Sequence, residues 1–280
     1  MSPPTKYGII GYPLAHSASP AIYAAAFLAL GMDATFDRIE DKDGERAFAR
    51  ARDEGYTGIA VTMPHKKIAA GLCGEISEDV DHTSAANTVV FGDPIRAYNT
   101  DVAGVRAALD SVEFDCRGKS ATIFGLGGAS PAVLHALILA GIEDVWVVTR
   151  SKTDGDVHVN GFGDHEILVR IRLRTEMSIR EALAASTLVV NATPLGMKPG
   201  DSLPAPKKQL RRDMVVLDAV YRPARTRFLL EAMGRGATAI PGTRWFLGQA
   251  AEQFRLLTGR EAPVEAMRET LATVPGCDWF

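Results

Sequence analysis

Short apolar segments alternate with longer alanine-rich or amphipathic segments along most of the chain. Residues 7–11 are an apolar run that predicts a strand, and residues 21–30 predict a helix. Ser19 as N-cap, Pro20 at the first helical position and Gly31 after the last one are residue types that begin and end helices. Further elements predicted in this half are strands at residues 34–39, 58–62 and 88–91 and helices at residues 45–54, 66–72 and 102–111.

The alternation restarts after a predicted turn at residues 116–119. Residues 120–124 predict a strand, and the valine-rich residues 145–149 predict one that is buried on both faces. Residues 154–164 carry three glycines and three aspartates, which predicts a loop. Later elements are predicted as strands at residues 167–173, 188–191 and 215–218 and helices at residues 132–140, 226–233, 245–257 and 264–272. The alternation predicts α/β layers in two domains, with a boundary near residues 102–118.

Composition and charge narrow the functional class. The 280 residues include 46% hydrophobic and 23% charged ones, which is typical of a globular chain. A formal net charge of −3 argues against a nucleic-acid-binding protein. Three scattered cysteines favour a reducing cytoplasm over a disulfide framework, and neither a membrane span nor a metal-binding motif is expected. The predicted partner is a small molecule, and the predicted assembly is a monomer or a homodimer.

A glycine-rich segment follows one predicted strand and begins the next predicted helix. Gly125, Gly127 and Gly128 permit a tight turn and let backbone N–H groups approach a pyrophosphate at the helix N-terminus, with Ala129 and Ser130 completing the segment. We also expect Ser130 to cap the helix. This context predicts a dinucleotide site in a Rossmann-like, doubly wound domain.

The residues after the next strand indicate which dinucleotide binds. An NAD site usually has an acidic residue here for the ribose 2′-hydroxyl. This chain has Thr149, Arg150 and Ser151 instead, and an arginine can bind a 2′-phosphate. NADP is therefore predicted in preference to NAD.

Polar residues in the first half follow predicted strands, where ligands of open α/β sheets bind. Ser17 and Ser19 precede a helix and can hold a carboxylate, whereas Lys66 and Asp101 form a candidate acid–base pair. Further candidates for binding hydroxyl groups are Thr62 and Asn87.

Together these segments resemble the shikimate dehydrogenase family, and the resemblance spans nearly the whole chain. The matching segments are residues 11–20 (GYPLAHSASP), 61–66 (VTMPHK), 86–88 (ANT), 99–101 (NTD), 125–130 (GLGGAS), 191–197 (NATPLGM), 218–221 (DAVY) and 249–251 (QAA). The resemblance implies reversible, NADP-dependent oxidation of shikimate to 3-dehydroshikimate in aromatic amino acid biosynthesis.

The family pattern also implies domains and residue roles. Residues 1–102 completed by the C-terminal helices 242–280 would bind substrate, residues 103–241 would bind NADP, and the active site would lie in a cleft. The implied roles are catalysis by Lys66 and Asp101; carboxylate binding by Ser17, Ser19 and Tyr221; ring-hydroxyl binding by Thr62, Asn87 and Gln249; and cofactor binding by Asn191, Thr193, Met197 and Gly242.

Three positions depart from the family pattern. Ala60 stands where shikimate dehydrogenases normally have a substrate-binding Asn, Trp245 replaces a Met expected near the nicotinamide, and Asp154 replaces a second Arg of the basic turn. Ala60 leaves open a relative that acts on quinate, an aminoshikimate or another hydroxy acid. A nucleotide-binding regulatory protein with vestigial chemistry is an alternative of another class, and the presence of Lys66 and Asp101 argues against it.

Overall fold

The computed structural model describes residues 3–150, 154–160 and 166–280 of the chain. These residues form two compact units. The first unit comprises Met1–Val102 and Leu247–Val274, and the second comprises Ala103–Phe246 and Pro275–Phe280. Two of the three chain crossings between the units fall within helices, and the third follows the last helix.

The first unit contains a six-stranded mixed sheet with strand order β2-β1-β3-β5-β6-β4. Three neighbouring strands, β2, β1 and β3, are parallel, and β5 runs antiparallel to both β3 and β6. The elements that begin in this unit are β1 Thr5–Gly11, α1 Ser19–Ala29, β2 Ala34–Glu40, α2 Gly44–Asp53, β3 Gly58–Val61, α3 Lys66–Gly71, β4 Glu75–Ile76, α4 Glu78–Thr83, β5 Thr88–Val90, β6 Arg96–Tyr98, α5 Asp101–Asp110 and, after the second unit, α10 Val264–Thr273.

Helix α1 begins one residue earlier than predicted. Its N-cap is Ala18, which makes no side-chain cap hydrogen bond, and Ser19 is the first helical residue, followed by Pro20. The prediction of Ser19 as N-cap is therefore wrong, and this leaves its hydroxyl free of a capping role. Gly31 adopts a φ of +60° just after the helix, as expected for a C-terminal glycine.

The second unit contains a seven-stranded sheet with strand order β13-β12-β11-β7-β8-β10-β9. All neighbouring pairs are parallel except β10 and β9. Without β9, this is the doubly wound 3-2-1-4-5-6 order, which reverses between β7 and β11. The elements here are β7 Ser120–Phe124, α6 Ser130–Leu139, β8 Asp144–Thr149, β9 Gly155–Asn160, β10 Glu166–Leu173, α7 Glu176–Ala185, β11 Leu188–Asn191, a 3-10 helix Lys207–Gln209, β12 Val215–Asp218, α8 Arg227–Gly234, β13 Thr238–Ile240 and the start of α9 Gly242–Thr258. The α/β prediction with a Rossmann-like second half is confirmed.

One core cluster fixes the second sheet against its helices. Buried side chains from the strands, including Phe124 and Val189, pack with Leu183 of α7 and Phe228 of α8. These strands are mostly apolar because helices cover both faces of a doubly wound sheet. The packing holds the carboxyl ends of β7, β8 and β11 in fixed register.

The loop predicted at residues 154–164 is wrong for residues 155–160, and residues 161–164 lie outside the described residues. Residues 155–160 form β9, an antiparallel edge strand on β10 with Val157 opposite Val169. Arg172 of β10 binds Asp156 at 2.6 Å, so an aspartate that suggested a loop instead joins two strands. Four short strands or helices were also not predicted: β4, β6, β13 and α4. Helix α7 was missed as well, although Thr175 and Ser178 form a capping box at its start.

Candidate functional site

Lys66 and Asp101 are hydrogen-bonded to each other in the first unit. Lys66 begins α3 and Asp101 begins α5, and the lysine Nζ donates to Asp101 Oδ2. Their side chains are 20% and 10% exposed. An ammonium at a helix N-terminus is unfavourable, whereas a carboxylate there is favourable. Asp101 therefore offsets the cost of placing Lys66 at the start of α3.

The backbone around Asp101 is held by a buried polar chain. Its backbone N–H donates to Asn99 Oδ1 at 3.2 Å, and Asn99 Nδ2 donates to Thr83 Oγ1 at 2.9 Å. Thr83 in turn donates to the backbone oxygen of Asp79 at 2.5 Å. These contacts fix the first turn of α5, so the Asp101 carboxylate has a defined position.

Asn87 lies in a second buried network of the same unit. Its Nδ2 donates to Thr100 Oγ1 at 3.0 Å and to Gln249 Oε1 at 3.3 Å. Its Oδ1 accepts from Thr88 Oγ1 and from the Thr100 backbone N–H, both at 2.8 Å. Two predicted hydroxyl-binding residues, Asn87 and Gln249, are therefore neighbours although 162 positions separate them in the chain.

Two buried residues that hydrogen-bond to this network were not predicted from the sequence. Gln253, 2% exposed, donates from Nε2 to the Asn87 backbone oxygen at 2.9 Å and to Thr88 Oγ1 at 2.8 Å. The hydroxyl of Tyr23, which is fully buried, donates to Gln253 Oε1 at 2.9 Å. Gln253 follows Gln249 by one helical turn on α9, which is the spacing that could have identified it.

The two serines predicted to bind a carboxylate lie side by side. The backbone N–H of Ser19 donates to Ser17 Oγ at 3.3 Å, and Ser19 is 5% exposed. Arg38 Nη2 donates to the Ser17 backbone oxygen at 2.9 Å, which holds the loop before α1 in place. Thr62, half-buried, follows β3, and its backbone N–H donates to Ile10 O at 2.9 Å.

In the second unit, the predicted glycine loop borders a cavity at the carboxyl ends of the parallel strands. Its volume is about 290 Å³. The lining residues are Phe124, Gly125, Leu126, Gly127, Val148, Thr149, Arg150, Arg174, Ala192, Thr193, Pro194, Leu195 and Pro204. These residues come from both sides of the β7–β11 reversal, where doubly wound folds bind nucleotides.

The three glycines of the loop differ in the space around them. Gly125 has a φ of +104°, and a Cβ there would lie 2.8 Å from Thr193 Cγ2. A Cβ at Gly127 or Gly128 would meet nothing within 4 Å, so this side of the loop faces open space. Ser130 Oγ donates to the Gly125 backbone oxygen at 2.5 Å.

Ser130 therefore closes the loop instead of capping the helix. The N-cap of α6 is Ala129, which makes no side-chain cap bond, so the expected capping role of Ser130 is wrong. The N-terminal N–H groups of α6 consequently have no capping side chain. Such groups favour an anion.

The strand β8 ends at the basic turn. Thr149 is buried, Arg150 is exposed, and both line the cavity. The predicted cofactor ligand Ser151 lies outside the described residues.

Asn191 supports the loop after β11 from within the core. It is fully buried; its Oδ1 accepts from Thr193 Oγ1 at 2.6 Å, and its Nδ2 donates to Asp218 Oδ1 at 2.8 Å. Burial raises the pKa of Asp218 to about 7, and hydrogen bonds from Val220, Thr226 and Asn191 oppose that rise. The side chain of Asn191 thus orients Thr193, which lines the cavity.

Other predicted ligands of the second unit are placed differently. Met197 is 52% exposed and is not among the cavity-lining residues. A Cβ on Gly242 would lie 2.6 Å from the Val220 backbone, so this glycine lets α9 approach the end of β12. The ring of Tyr221 stacks on Phe246, with centroids 4.4 Å apart. Tyr221 belongs to the second unit, whereas Ser17 and Ser19 belong to the first.

The described ranges 3–150, 154–160 and 166–280 contain no cluster of three or more His, Cys, Asp or Glu residues that could hold a metal ion. No helix in that part of the chain is long and apolar enough to cross a membrane.

Two family models match the chain. One describes the shikimate dehydrogenase substrate binding domain and matches residues 9–89, and the other describes the shikimate 5'-dehydrogenase C-terminal domain and matches residues 242–272. The chain is 36% identical over 277 residues to shikimate dehydrogenase (NADP(+)) of Methanopyrus kandleri, covering 94% of this chain and 93% of that relative.

Solved structures of similar proteins share the fold. The shikimate 5-dehydrogenase of Listeria monocytogenes, in complex with shikimate and NAD, has a TM-score of 0.84 at 28% identity and covers 97% of both chains. That of Thermus thermophilus, in complex with NADP(H) and shikimate, has a TM-score of 0.79 at 29% identity over 95% and 98% of the chains. The quinate dehydrogenase of Corynebacterium glutamicum, with NAD, has a TM-score of 0.82 at 29% identity, again over 95% and 98%.

Proposed function

Because the chain belongs to the shikimate dehydrogenase family, we propose that it catalyses the reversible, NADP-dependent oxidation of shikimate to 3-dehydroshikimate. The observation that carries this proposal is the hydrogen-bonded pair of Lys66 and Asp101. An acid–base pair at the N-termini of two helices fits a reaction in which a hydroxyl proton is transferred. The reaction belongs to aromatic amino acid biosynthesis, and we place it in the cytoplasm.

Lys66 is the group that transfers the substrate's hydroxyl proton. In the direction of reduction, its ammonium donates a proton to the carbonyl oxygen as that atom becomes a hydroxyl. In the direction of oxidation, a neutral Lys66 accepts that proton. Asp101 accepts a hydrogen bond from Lys66 Nζ and therefore orients the amine. The Asn99 and Thr83 contacts hold Asp101 in turn, so the direction of the Lys66 amine is set before substrate binds.

The polar residues of the first unit account for substrate binding. Ser17, just before α1, and Ser19, its first residue, are suited to bind a carboxylate, because their hydroxyls can donate. The side chains of Asn87 and Gln249 are hydrogen-bonded to each other, and their amide groups are suited to bind ring hydroxyls. Thr62 completes the proposed substrate-binding set of this unit, and Tyr221 keeps the carboxylate-binding role that the family resemblance implies.

The second unit fits a dinucleotide. The two glycines with open space above them, Gly127 and Gly128, and the uncapped N-terminus of α6 fit a pyrophosphate, and Arg150 at the cavity fits a 2′-phosphate. When bound, NADP supplies the hydride acceptor or donor for the carbinol carbon. Thr149 and Thr193 line the same cavity, whereas Asn191 acts through Thr193. Ala129, Ser151, Met197 and Gly242 complete the proposed cofactor-binding set.

Ala60 favours a second candidate substrate. It lies in β3 with 4% exposure, opposite Thr88, and its methyl group can make no hydrogen bond. A buried substrate hydroxyl left without a partner costs about 1–3 kcal/mol. A quinate, an aminoshikimate or another hydroxy acid that places a different group at this position is therefore the alternative.

NADPH consumption tests the proposal. Purified enzyme is given 3-dehydroshikimate, 3-dehydroquinate or 3-dehydro-aminoshikimate, each with NADPH and with NADH. The proposed function predicts the highest kcat/KM for 3-dehydroshikimate with NADPH. Higher kcat/KM for one of the other acids supports the second candidate, and absence of turnover with 3-dehydroshikimate contradicts the proposed function.

Ala60→Asn sharpens that test. Restoring an amide at this position should raise kcat/KM for 3-dehydroshikimate about 5- to 100-fold if the missing hydrogen bond is the limiting feature. Ala70→Asn is the control, because it changes a half-buried residue of α3 by the same atoms and should leave kcat/KM unchanged. An unchanged or lower kcat/KM in Ala60→Asn favours a substrate other than shikimate.

A further inference from the structure

A second arginine, Arg174, lines the cavity beside Arg150. Strands β8 and β10 are parallel, and their last paired residues are Thr149 and Leu173. Arg150 and Arg174 therefore follow adjacent strands at the same edge of the sheet, and both line the cavity. The Arg174 backbone N–H donates to Thr149 O at 2.7 Å, which fixes the two arginines as neighbours.

The Arg174 side chain is held in one orientation. Its Nη2 donates to Leu203 O at 2.8 Å and to Pro204 O at 3.0 Å, and Pro204 also lines the cavity. A guanidinium carries five N–H groups in a fixed plane. The two carbonyl oxygens engage the two on Nη2, so those on Nε and Nη1 can serve a ligand.

The two cavity arginines differ from their neighbour Arg172 in their charge partners. Arg172, two residues before Arg174 on β10, binds Asp156 at 2.6 Å. Within the described part of the chain, neither Arg150 nor Arg174 has a carboxylate in an ion pair. Burial and, to a smaller extent, the charge of Arg150 lower the pKa of Arg174. Two like charges held together in this way are stabilised by an anion between them.

We propose that Arg174 joins Arg150 in binding the 2′-phosphate of NADP, so that two adjacent strands each supply one guanidinium. Planar guanidinium groups match phosphate oxygens with two parallel hydrogen bonds, and a dianionic phosphate offsets both charges. Arg174 is a specificity-determining residue because an unphosphorylated ribose offers it no anion. This inference rests on the proposed use of NADP.

The test uses two nucleotide fragments that differ only in the phosphate in question. Binding of 2′,5′-ADP and of 5′-AMP to the full chain is measured by titration calorimetry for the wild type, Arg174→Gln and Arg174→Lys. Arg174→Gln should weaken 2′,5′-ADP about 10- to 100-fold and 5′-AMP less than about 2-fold. Arg174→Lys should fall between, since a lysine keeps the charge but not the planar pair of donors.

A matched control removes the same charge elsewhere. Arg180 is an exposed arginine of α7 that does not line the cavity, and Arg180→Gln should leave both affinities unchanged. Equal weakening of both nucleotides by Arg174→Gln would show that Arg174 only holds the Leu203–Pro204 backbone, which overturns the inference. So would an Arg174→Gln variant with wild-type affinity for 2′,5′-ADP. A wild type that binds both fragments equally contradicts the proposed cofactor itself, and the inference fails with it.

Discussion

In the first unit the candidate site consists of side chains that hold one another, whereas in the second unit the backbone lines much of the candidate site. Lys66, Asp101, Asn87 and Gln249 each contact another polar side chain of their own unit. The cavity of the second unit is bordered by Gly125 and Gly127 and by strand ends. Proton transfer requires that one donor or acceptor atom is positioned accurately against the reacting atom of the substrate. A long ligand can instead be held by many weak contacts with the backbone.

This difference between the units predicts unequal sensitivity to substitution. Removing a side chain from the first site should affect turnover, and removing one from the second should affect cofactor affinity.

Lys66→Ala should lower kcat by about 10²–10⁴, the range for loss of a general acid–base group. Affinity for NADP should stay the same, because Lys66 lies in the other unit from the glycine loop. Steady-state kinetics together with calorimetric titration of NADP measures both. Lys67→Ala, which changes the exposed neighbouring lysine, should retain wild-type kcat.

Asp101→Asn tests the other member of the Lys66–Asp101 pair by the same kinetic measurement. An amide cannot attract an ammonium as a carboxylate does, so kcat should again fall. The double variant should lose less than the two single losses combined, because the residues act as one unit. Losses that simply add would contradict the pair, and a Lys66→Ala enzyme with full kcat but raised KM would make Lys66 a binding residue.

Arg150→Gln should raise the KM for NADP about 10- to 100-fold and the KM for NAD much less, because only NADP carries a 2′-phosphate. Initial rates over a range of both cofactors measure this. Arg180→Gln on the exposed face of α7 is the control. Equal changes in the two KM values, or a wild type that prefers NAD, would contradict the role of Arg150.

Asp218 should make the stability of the protein depend on pH in an unusual direction. Burial raises its pKa in the folded protein to about 7, whereas an unfolded chain has an ordinary value of about 3.9. Between these values the folded state binds more protons, so the contribution of Asp218 falls as pH rises, by at most about 1.4 kcal/mol per pH unit.

Denaturant unfolding of the wild type and Asp218→Asn, from about pH 4.5 to about pH 8, isolates this contribution. The difference in the free energy of unfolding should favour the wild type most at low pH and level off above pH about 7. A difference that does not vary with pH would show that Asp218 is ionised throughout.

Tyr23→Phe should have the smallest of these effects. It removes the hydroxyl that donates to Gln253 Oε1 and should lower the free energy of unfolding by about 1 kcal/mol. Tyr7→Phe removes the same atom from another buried tyrosine that shows no side-chain hydrogen bond in the described part of the chain. If Tyr7→Phe lowers the free energy of unfolding more than Tyr23→Phe does, the hydrogen bond from Tyr23 to Gln253 does not stabilise the network around Asn87.

Local signals were sufficient to predict most of the framework. The resemblance to shikimate dehydrogenases is confirmed, as are the α/β class and NADP as the cofactor of the relatives. Strands such as β7, β11 and β12 were predicted at their observed bounds, because a strand buried on both faces is a short, mostly apolar run. The pair of Lys66 and Asp101 was predicted from residue type, although β6, the strand before Asp101, was not. The two side chains are in contact.

Contacts between distant segments were the part that could not be predicted. Strand β9 forms because β10 provides its partner and Arg172 binds Asp156, and neither fact is local. Ser19 and Ser130 were predicted as caps from residue type alone, whereas each begins its helix one residue after the N-cap. Arg174 and Gln253 belong to no sequence motif. The position of Arg174 beside Arg150 depends on the register of two strands, and the contacts of Gln253 depend on the face of α9 on which it lies.

The first unit is assembled from two segments that are far apart in the chain, which has a consequence during synthesis. The segment Met1–Val102 is synthesised before the second sheet, but Gln249 and Gln253 belong to Leu247–Val274, which follows all seven strands of that sheet. Until that segment emerges, Tyr23 and Asn87 lack their amide partners. The unit that contains Lys66 and Asp101 is thus begun first and completed late. A nascent chain halted before Leu247 would hold an unfinished core that chaperones can recognise.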